Sequence, residues 1–200
     1  MRVKTVAASF TLSPVLMAYA GTSLIMQPQF GMEPIRRPVE EVLNIMYHGT
    51  IRELEDYCEK YHADYLVYDR GMDGPLHIYS SRYIANAEKI EPDSPVNVMS
   101  RLPNSMRRFV PVEPPFAFRG LSLKYTVFQF IKEQDIKFAE DCAVRAGRLI
   151  AADDLSSAER VILRGLERDP ASKKLGKLHE MLFLRTYRPS LKKKEDDPFR

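Results

Sequence analysis

Cysteine and histidine are scarce in this chain. The two cysteines, Cys58 and Cys142, each fall on the apolar stripe of an expected helix, and the four histidines, His48, His62, His77 and His179, are scattered. A buried free thiol behaves as a small hydrophobe, so the cysteines argue against a disulfide framework or a redox pair. No two histidines have ligand spacing, which argues against a metal site. An excess of one charge is missing too. The net charge of +3 is too small to argue for nucleic acid, and nine of the 30 basic residues lie after Ala171 against four acidic ones. The body is therefore slightly acidic and the C-terminal segment carries the surplus. A run such as Lys192-Lys193-Lys194 usually solvates a tail; the alternative is a membrane-surface or partner contact.

Glycine-rich phosphate motifs are absent. The first expected strand is followed by Phe10-Thr11-Leu12-Ser13-Pro14, with no glycine to let a backbone approach a pyrophosphate. There is no G-x-x-x-x-G-K-[ST] and no G-x-S-x-G. This argues against a dinucleotide enzyme, and no cofactor is expected. The adjacent carboxylates Glu40-Glu41, Asp153-Asp154 and Asp196-Asp197 fall on expected helix or turn surfaces. General acid/base work needs two carboxyls that face one bond in different environments, so no catalytic residue is assigned.

Long apolar runs are missing as well. The N-terminal stretch is broken by Ser9, Thr11, Ser13, Pro14, Gly21, Thr22 and Ser23, whereas a membrane span wants about 20 mostly apolar residues. Two readings of it compete. In one, residues 1–20 are a secretory signal, with Arg2 and Lys4 as the charged start and Ala18-Tyr19-Ala20 as the cleavage site. In the other, Val3, Val6, Ala8 and Phe10 lie in a strand, Ser13 caps a short helix with Pro14 at its first position, Gly21 ends it, and residues 23–26 form a second strand. A signal needs no such punctuation, and the folded reading is preferred.

The chain beyond residue 26 reads as α/β. Ile35, Val39, Val42, Leu43 and Met46 keep a helical period up to Gly49. Thr50 and Glu53 then form a capping box before Ile51, Leu54, Tyr57, Cys58 and Tyr61. Tyr65-Leu66-Val67-Tyr68 suits an interior strand, and Asp69-Arg70-Gly71 the turn at its end. A short helix is expected from about Tyr79 to Ala87. Residues 91–120, rich in proline and arginine, read as a long irregular connection with a short strand near 109–112. Residues 124–131 read as an antiparallel edge strand. The expected fold is a small, mostly parallel Rossmann-like sheet with flanking helices, over residues 1–132.

Ligands of open α/β sheets bind outside the carboxyl ends of the strands. Ser13, Asp69 and Arg70 are therefore candidate ligand contacts; the plainer reading of Asp69-Arg70-Gly71 is an ordinary turn. Arg101, Arg107, Arg108 and Arg119 are a weaker candidate for an anion, since loop arginines are usually surface residues.

Residues 133–187 carry no strand signal. Helices are expected over 136–152, 155–168 and 172–185, and a basic, disordered tail over 188–200. Cys142, Ala146, Leu149, Ala158, Ile162, Gly165 and Pro170 stand at the spacing of one tetratricopeptide repeat, so the first two helices resemble a hairpin of that type. Arg145 departs from the pattern, and a single repeat suits packing better than a binding solenoid.

Four short motifs carry a resemblance over roughly residues 7–130: residues 8–14 (Ala-Ser-Phe-Thr-Leu-Ser-Pro), residues 27–31 (Gln-Pro-Gln-Phe-Gly), residues 64–69 (Asp-Tyr-Leu-Val-Tyr-Asp) and residues 80–85 (Ser-Ser-Arg-Tyr-Ile-Ala). This part of the chain resembles the extramembrane C-terminal domain of multi-spanning membrane glycosyltransferases, the dolichyl-phosphate-mannose-protein mannosyltransferase-like enzymes. The resemblance adds Ser81, Arg82 and Tyr83 to the candidate contacts. It implies a non-catalytic accessory domain, because the catalytic acids of such enzymes lie in the membrane bundle. The implied partner is that bundle or another protein, with a glycan or lipid-linked sugar as a further contact, and no nucleic acid. The implied location is the extracytoplasmic face of the membrane; a cytoplasmic location stays open. The alternative function is a stand-alone protein–protein interaction module that uses the helical hairpin.

Overall fold

The computed structural model describes residues 3–8, 12–13, 16, 22–25, 32–78, 80–113 and 124–195. The chain divides into two compact units, Met1–Phe130 and Ile131–Arg200.

Among the described residues the first unit holds five strands: β1 (Thr5–Ala7), β2 (Ser23–Leu24), β3 (Tyr65–Asp69), β4 (Phe109–Val112) and β5 (Tyr125–Phe130). Their order in the sheet is β2-β1-β3-β5-β4. β1 runs parallel to β2 and β3, whereas β5 runs antiparallel to β3 and β4. The architecture is α/β as expected, with a parallel half and an antiparallel half. The late strand is antiparallel but not at the edge. β5 pairs on both sides, and β4 is the edge. Pro111 in β4 explains the order, because a proline cannot donate to a second neighbour and is confined to edges.

Alternation along the strands divides the core between the two faces. Ala7, Leu66, Tyr68, Phe109, Phe128 and Phe130 pack with residues of α1 (Glu33–His48), α2 (Ile51–Lys60) and α4 (Pro95–Arg101). Val6, Ala8 and Leu24 form a separate cluster with Leu12, Leu16, Tyr65 and Val67. Thr5 and Asp64 clamp the start of the sheet: Thr5 N–H donates to Asp64 Oδ2 at 2.9 Å, and Asp64 N–H returns a bond to the Thr5 carbonyl at 2.7 Å.

Local signals account for the helices. Pro34 stands in the first turn of α1, and Gly49 ends it at a point where a Cβ would lie 2.9 Å from the Ile45 carbonyl oxygen. The Thr50–Glu53 capping box is formed at both of its bonds. Leu16 N–H bonds the Leu12 carbonyl, so Ser13 lies inside the turn it was expected to cap. Phe10, Pro14 and Gly21 lie outside the described residues. The helix after β3, α3 (Ser81–Ile84), is one turn long and ends short of Ala87. There Asn86 takes a left-handed conformation, φ 53°, which asparagine tolerates better than most residues. α4 falls inside the stretch read as irregular. Ser94 and Pro95 start it, with the proline in the first turn, where a missing N–H has no cost.

Burial raises the pKa of several groups in this unit, most strongly those of three phenols and one thiol. The phenols of Tyr47, Tyr57 and Tyr68 are pushed well above their usual 10.0, and the Cys58 thiol goes from 9.0 to about 12. Each is held neutral by the fold and ionises more readily once unfolded. Their contribution is complete below the unfolded values and is lost as pH rises toward the folded ones. Stability measured by urea titration should therefore fall steadily from about pH 9 upward, and Tyr57→Phe should flatten that fall.

The second unit contains α5 (Glu133–Ala151), α6 (Leu155–Arg168) and α7 (Lys173–Glu195). Ala139, Cys142, Ala146, Ala158, Ile162, Leu175 and Leu182 are buried together. Arg168 at the end of α6 donates to Asp135 at the start of α5 at 3.0 Å, so the two helices are antiparallel. The turn between them uses the paired carboxylates structurally: Asp153 has φ 60°, and Asp154 Oδ1 accepts the Ser157 N–H at 3.2 Å. The Ser157 hydroxyl, together with that backbone bond, holds the Asp154 carboxyl below its usual range. α7 runs past the expected end at 185 and through residues 188–195, where a disordered tail was expected. Leu191, the three lysines and Glu195 are good helix formers.

Gly165 sets the spacing in this unit. A Cβ there would lie 2.5 Å from Leu175 Cδ1 and 2.9 Å from Cys142 Cβ. The leucine tip can move, but a Cβ is fixed to its helix. Gly165→Ala is expected to cost about 1–3 kcal/mol through overpacking, despite alanine's better helix propensity, and Cys142→Gly should recover part of the loss. Thermal unfolding of the two variants checks both.

Candidate functional site

The topology singles out one edge of the sheet. β1, β2 and β3 are parallel, so their carboxyl ends share that edge, and β1 lies between the other two. The chain goes from β1 to one neighbour and reaches the other later, which makes the ends of β1 and β3 a switch point of the kind where α/β sheets bind ligands. Asp69, Arg70 and Ser13 belong to this region.

The structure shows what these side chains do. Asp69 Oδ1 accepts the Gly71 N–H at 2.9 Å and starts a short 3-10 turn, Arg70–Asp73. Arg70 Nε donates to Thr126 Oγ1 on β5 at 3.2 Å, and its N–H bonds the Lys124 carbonyl. Ser13 is fully buried. Ser81 opens α3, one residue after Ser80, whose hydroxyl caps the helix by accepting the Tyr83 N–H. The same hydroxyl donates to the His77 carbonyl at 2.7 Å.

Arg82 is the most committed of the set. Its Nε donates to the Ala87 carbonyl at 2.9 Å and one Nη to the Gly74 carbonyl at 3.0 Å; the other Nη donates to the Glu88 carbonyl. A guanidinium presents its donors in a fixed fork, and here the fork closes the loop from Gly74 to Glu88 on itself. Tyr83, next in sequence, is exposed.

Residues that the sequence did not single out complete the arrangement. Tyr47 Oη donates to the Met72 carbonyl at 2.9 Å. His48 Nε2 lies 2.9 Å from the Ala85 carbonyl; a carbonyl only accepts, so the ring nitrogen carries the proton. Ser100 Oγ donates to Asp73, and Tyr68 Oη donates to the Val96 carbonyl. No local signal marks these residues, because each bonds a carbonyl or carboxylate distant in sequence.

Among the described residues of the arginine group, Arg108 is engaged by carboxylates of the chain itself. Arg108 pairs with Glu59, lies 3.9 Å from Glu55 and stacks over Phe130 at 4.6 Å. Arg101 lies at the end of α4, and Arg119 is outside the described residues. Burial raises the Glu55 carboxyl above its usual range, and Arg108 opposes that rise. Among the described residues no group of three histidine, cysteine or carboxylate side chains is placed to hold a metal, and no helix is long and apolar enough to cross a membrane.

No family model matches the chain, and no curated protein matches it either. Among solved structures it is similar to the C-terminal globular domain of an oligosaccharyltransferase from Archaeoglobus fulgidus, at 9% identity and a TM-score of 0.42, over 64% of this chain and 84% of that one. Likeness at that level carries no argument about the site.

Proposed function

We propose that this chain is a non-catalytic accessory module working beside a membrane glycosyltransferase of lipid-linked sugars. One observation carries the reading: polar residues of the motifs that resemble that family are spent on holding the main chain. Asp64 clamps β1, Asp69 builds the turn after β3, Ser80 caps α3, and Arg82 binds three carbonyls. Residues used in this way define a scaffold rather than an acid–base pair. The partner is the membrane-embedded bundle of the enzyme or another protein of the same assembly, and the location is the extracytoplasmic face.

The test is recovery of the tagged full-length chain from detergent-solubilised membranes of its own cells. A multi-spanning glycosyltransferase should co-purify, and deleting the chain should lower transfer of the lipid-linked sugar. Recovery with no such enzyme, together with unchanged glycosylation in the deletion strain, would overturn the reading.

A second reading has an observation of its own. In the helical unit Val144, Leu163, Met181 and Leu184 are exposed, which suits a protein contact through the three helices. That reading predicts that Leu163→Glu with Leu184→Glu abolishes co-purification of the partner while the fold is kept; unchanged capture would remove it.

A further inference from the structure

The segment from Gly74 to Ala87 differs from the rest of the surface. Charged residues make up 28% of the chain, yet Arg82 is the only Asp, Glu, Lys or Arg in this segment. Its guanidinium is turned onto the carbonyls of Gly74, Ala87 and Glu88. Meanwhile Leu76, Ile78, Tyr83 and Ile84 are between 49% and 57% exposed. All four lie on one short loop and the helical turn it runs into. Single exposed apolar side chains are ordinary, but several together mark a protein or membrane contact.

We propose that this loop is a lipid-docking tip, in which Leu76, Ile78, Tyr83 and Ile84 enter the interfacial layer of a bilayer while Arg82 holds the loop from within. The presence of a membrane nearby rests on the accessory-module reading above; the choice of lipid rests on three properties of the loop itself.

The first is charge. With its one cation committed to carbonyls, the loop offers nothing for a charged partner to recognise, whereas an uncharged lipid interface needs no complement. The second is the backbone. The N–H groups of Ser80, Tyr83, Ile84, Ala85, Asn86 and Ala87 all bond to carbonyls within the loop. In a medium without water, unpaired backbone groups are costly, and these need none. The third is size. Four half-exposed side chains fall short of the roughly 800 Å² per partner that a stable protein interface buries, so a second copy of the chain is a poor occupant. Tyr83 adds an amphipathic ring of the type enriched where hydrocarbon meets headgroup.

The chain has no tryptophan, so a single introduced indole reports on its own surroundings. The Ile78→Trp full-length chain is mixed with phosphatidylcholine vesicles. Its emission should move to shorter wavelength and be quenched by lipids brominated along the acyl chain. Leu163→Trp, at an equally exposed position in the helical unit, should show neither change. In flotation, Leu76→Ser with Ile84→Ser should weaken vesicle binding roughly tenfold, and raising the salt should leave wild-type binding unchanged.

The proposal is overturned if the Ile78→Trp emission does not respond to vesicles, or if both indoles respond alike. It is also overturned if the chain dimerises without lipid and Ile78→Ser dissociates the dimer, which would assign the loop to a second copy. Co-purification with the membrane enzyme in the absence of vesicle binding would remove the lipid tip and keep the accessory role. Vesicle binding without that enzyme would keep the tip and remove the role.

Discussion

Phe128→Ala is expected to destabilise the first unit by about 3–5 kcal/mol, the usual cost of deleting a fully buried ring. Phe128 is inaccessible to solvent and lies on β5, opposite Leu66 of β3 and Pro111 of β4. Its ring meets Phe109 edge-on at 6.4 Å, and Phe109 in turn meets Phe130 at 5.2 Å. Truncation therefore removes both the transfer of the ring out of water and an aromatic contact worth about 0.5–1.5 kcal/mol. Natural domains are stable by only about 5–15 kcal/mol, so the variant should be close to unfolding at body temperature. Phe128→Leu, which keeps most of the volume, should lose much less. Urea denaturation of the three chains gives the comparison. A loss under about 1 kcal/mol for alanine would mean that β5 is not the inner strand of the antiparallel half.

The second large effect is expected at Arg82. Its three bonds to main-chain carbonyls are of the charge-assisted kind, each worth about 1.5–3 kcal/mol where partners are withdrawn from water. They are not additive, and the site is only partly buried. We expect Arg82→Met to cost about 2–4 kcal/mol. Arg82→Lys should recover little of this, because an ammonium cannot reproduce the planar fork. The same change should speed hydrogen exchange at Ala87, whose N–H bonds the Arg82 carbonyl. A surface arginine waiting for an anion would behave otherwise. Its removal would leave stability within about 0.5 kcal/mol.

These two residues also show what could be read from the sequence and what could not. The Thr50–Glu53 box and the strand at Tyr65–Asp69 were legible because each signal lies within a few residues of the structure it makes, and the small residues Ala146, Ala158 and Gly165 because their spacing follows the helical period. The place of β5 was not legible. An apolar strand looks the same at an edge or inside, and the choice was decided by Pro111, in another strand. α4 was hidden by the prolines around it, although Ser94-Pro95 is itself a helix start. The role of Arg82 was legible only as a candidate. Its partners are carbonyls of Gly74, Ala87 and Glu88, and a carbonyl leaves no mark in a sequence. For the same reason Tyr47 and His48 passed as ordinary residues of a helix end.

In the proposed role, the polar side chains at the strand ends brace the chain and are not held open for a small molecule. A thermal-shift series with nucleotide sugars and sugar phosphates tests this most directly, since any ligand that binds only the folded state raises its melting temperature. None of them should move the wild-type midpoint, while Arg82→Lys should lower it by the same amount with or without them. A midpoint raised by several degrees, and returned to its starting value by Asp69→Asn or Arg82→Lys, would contradict the bracing role.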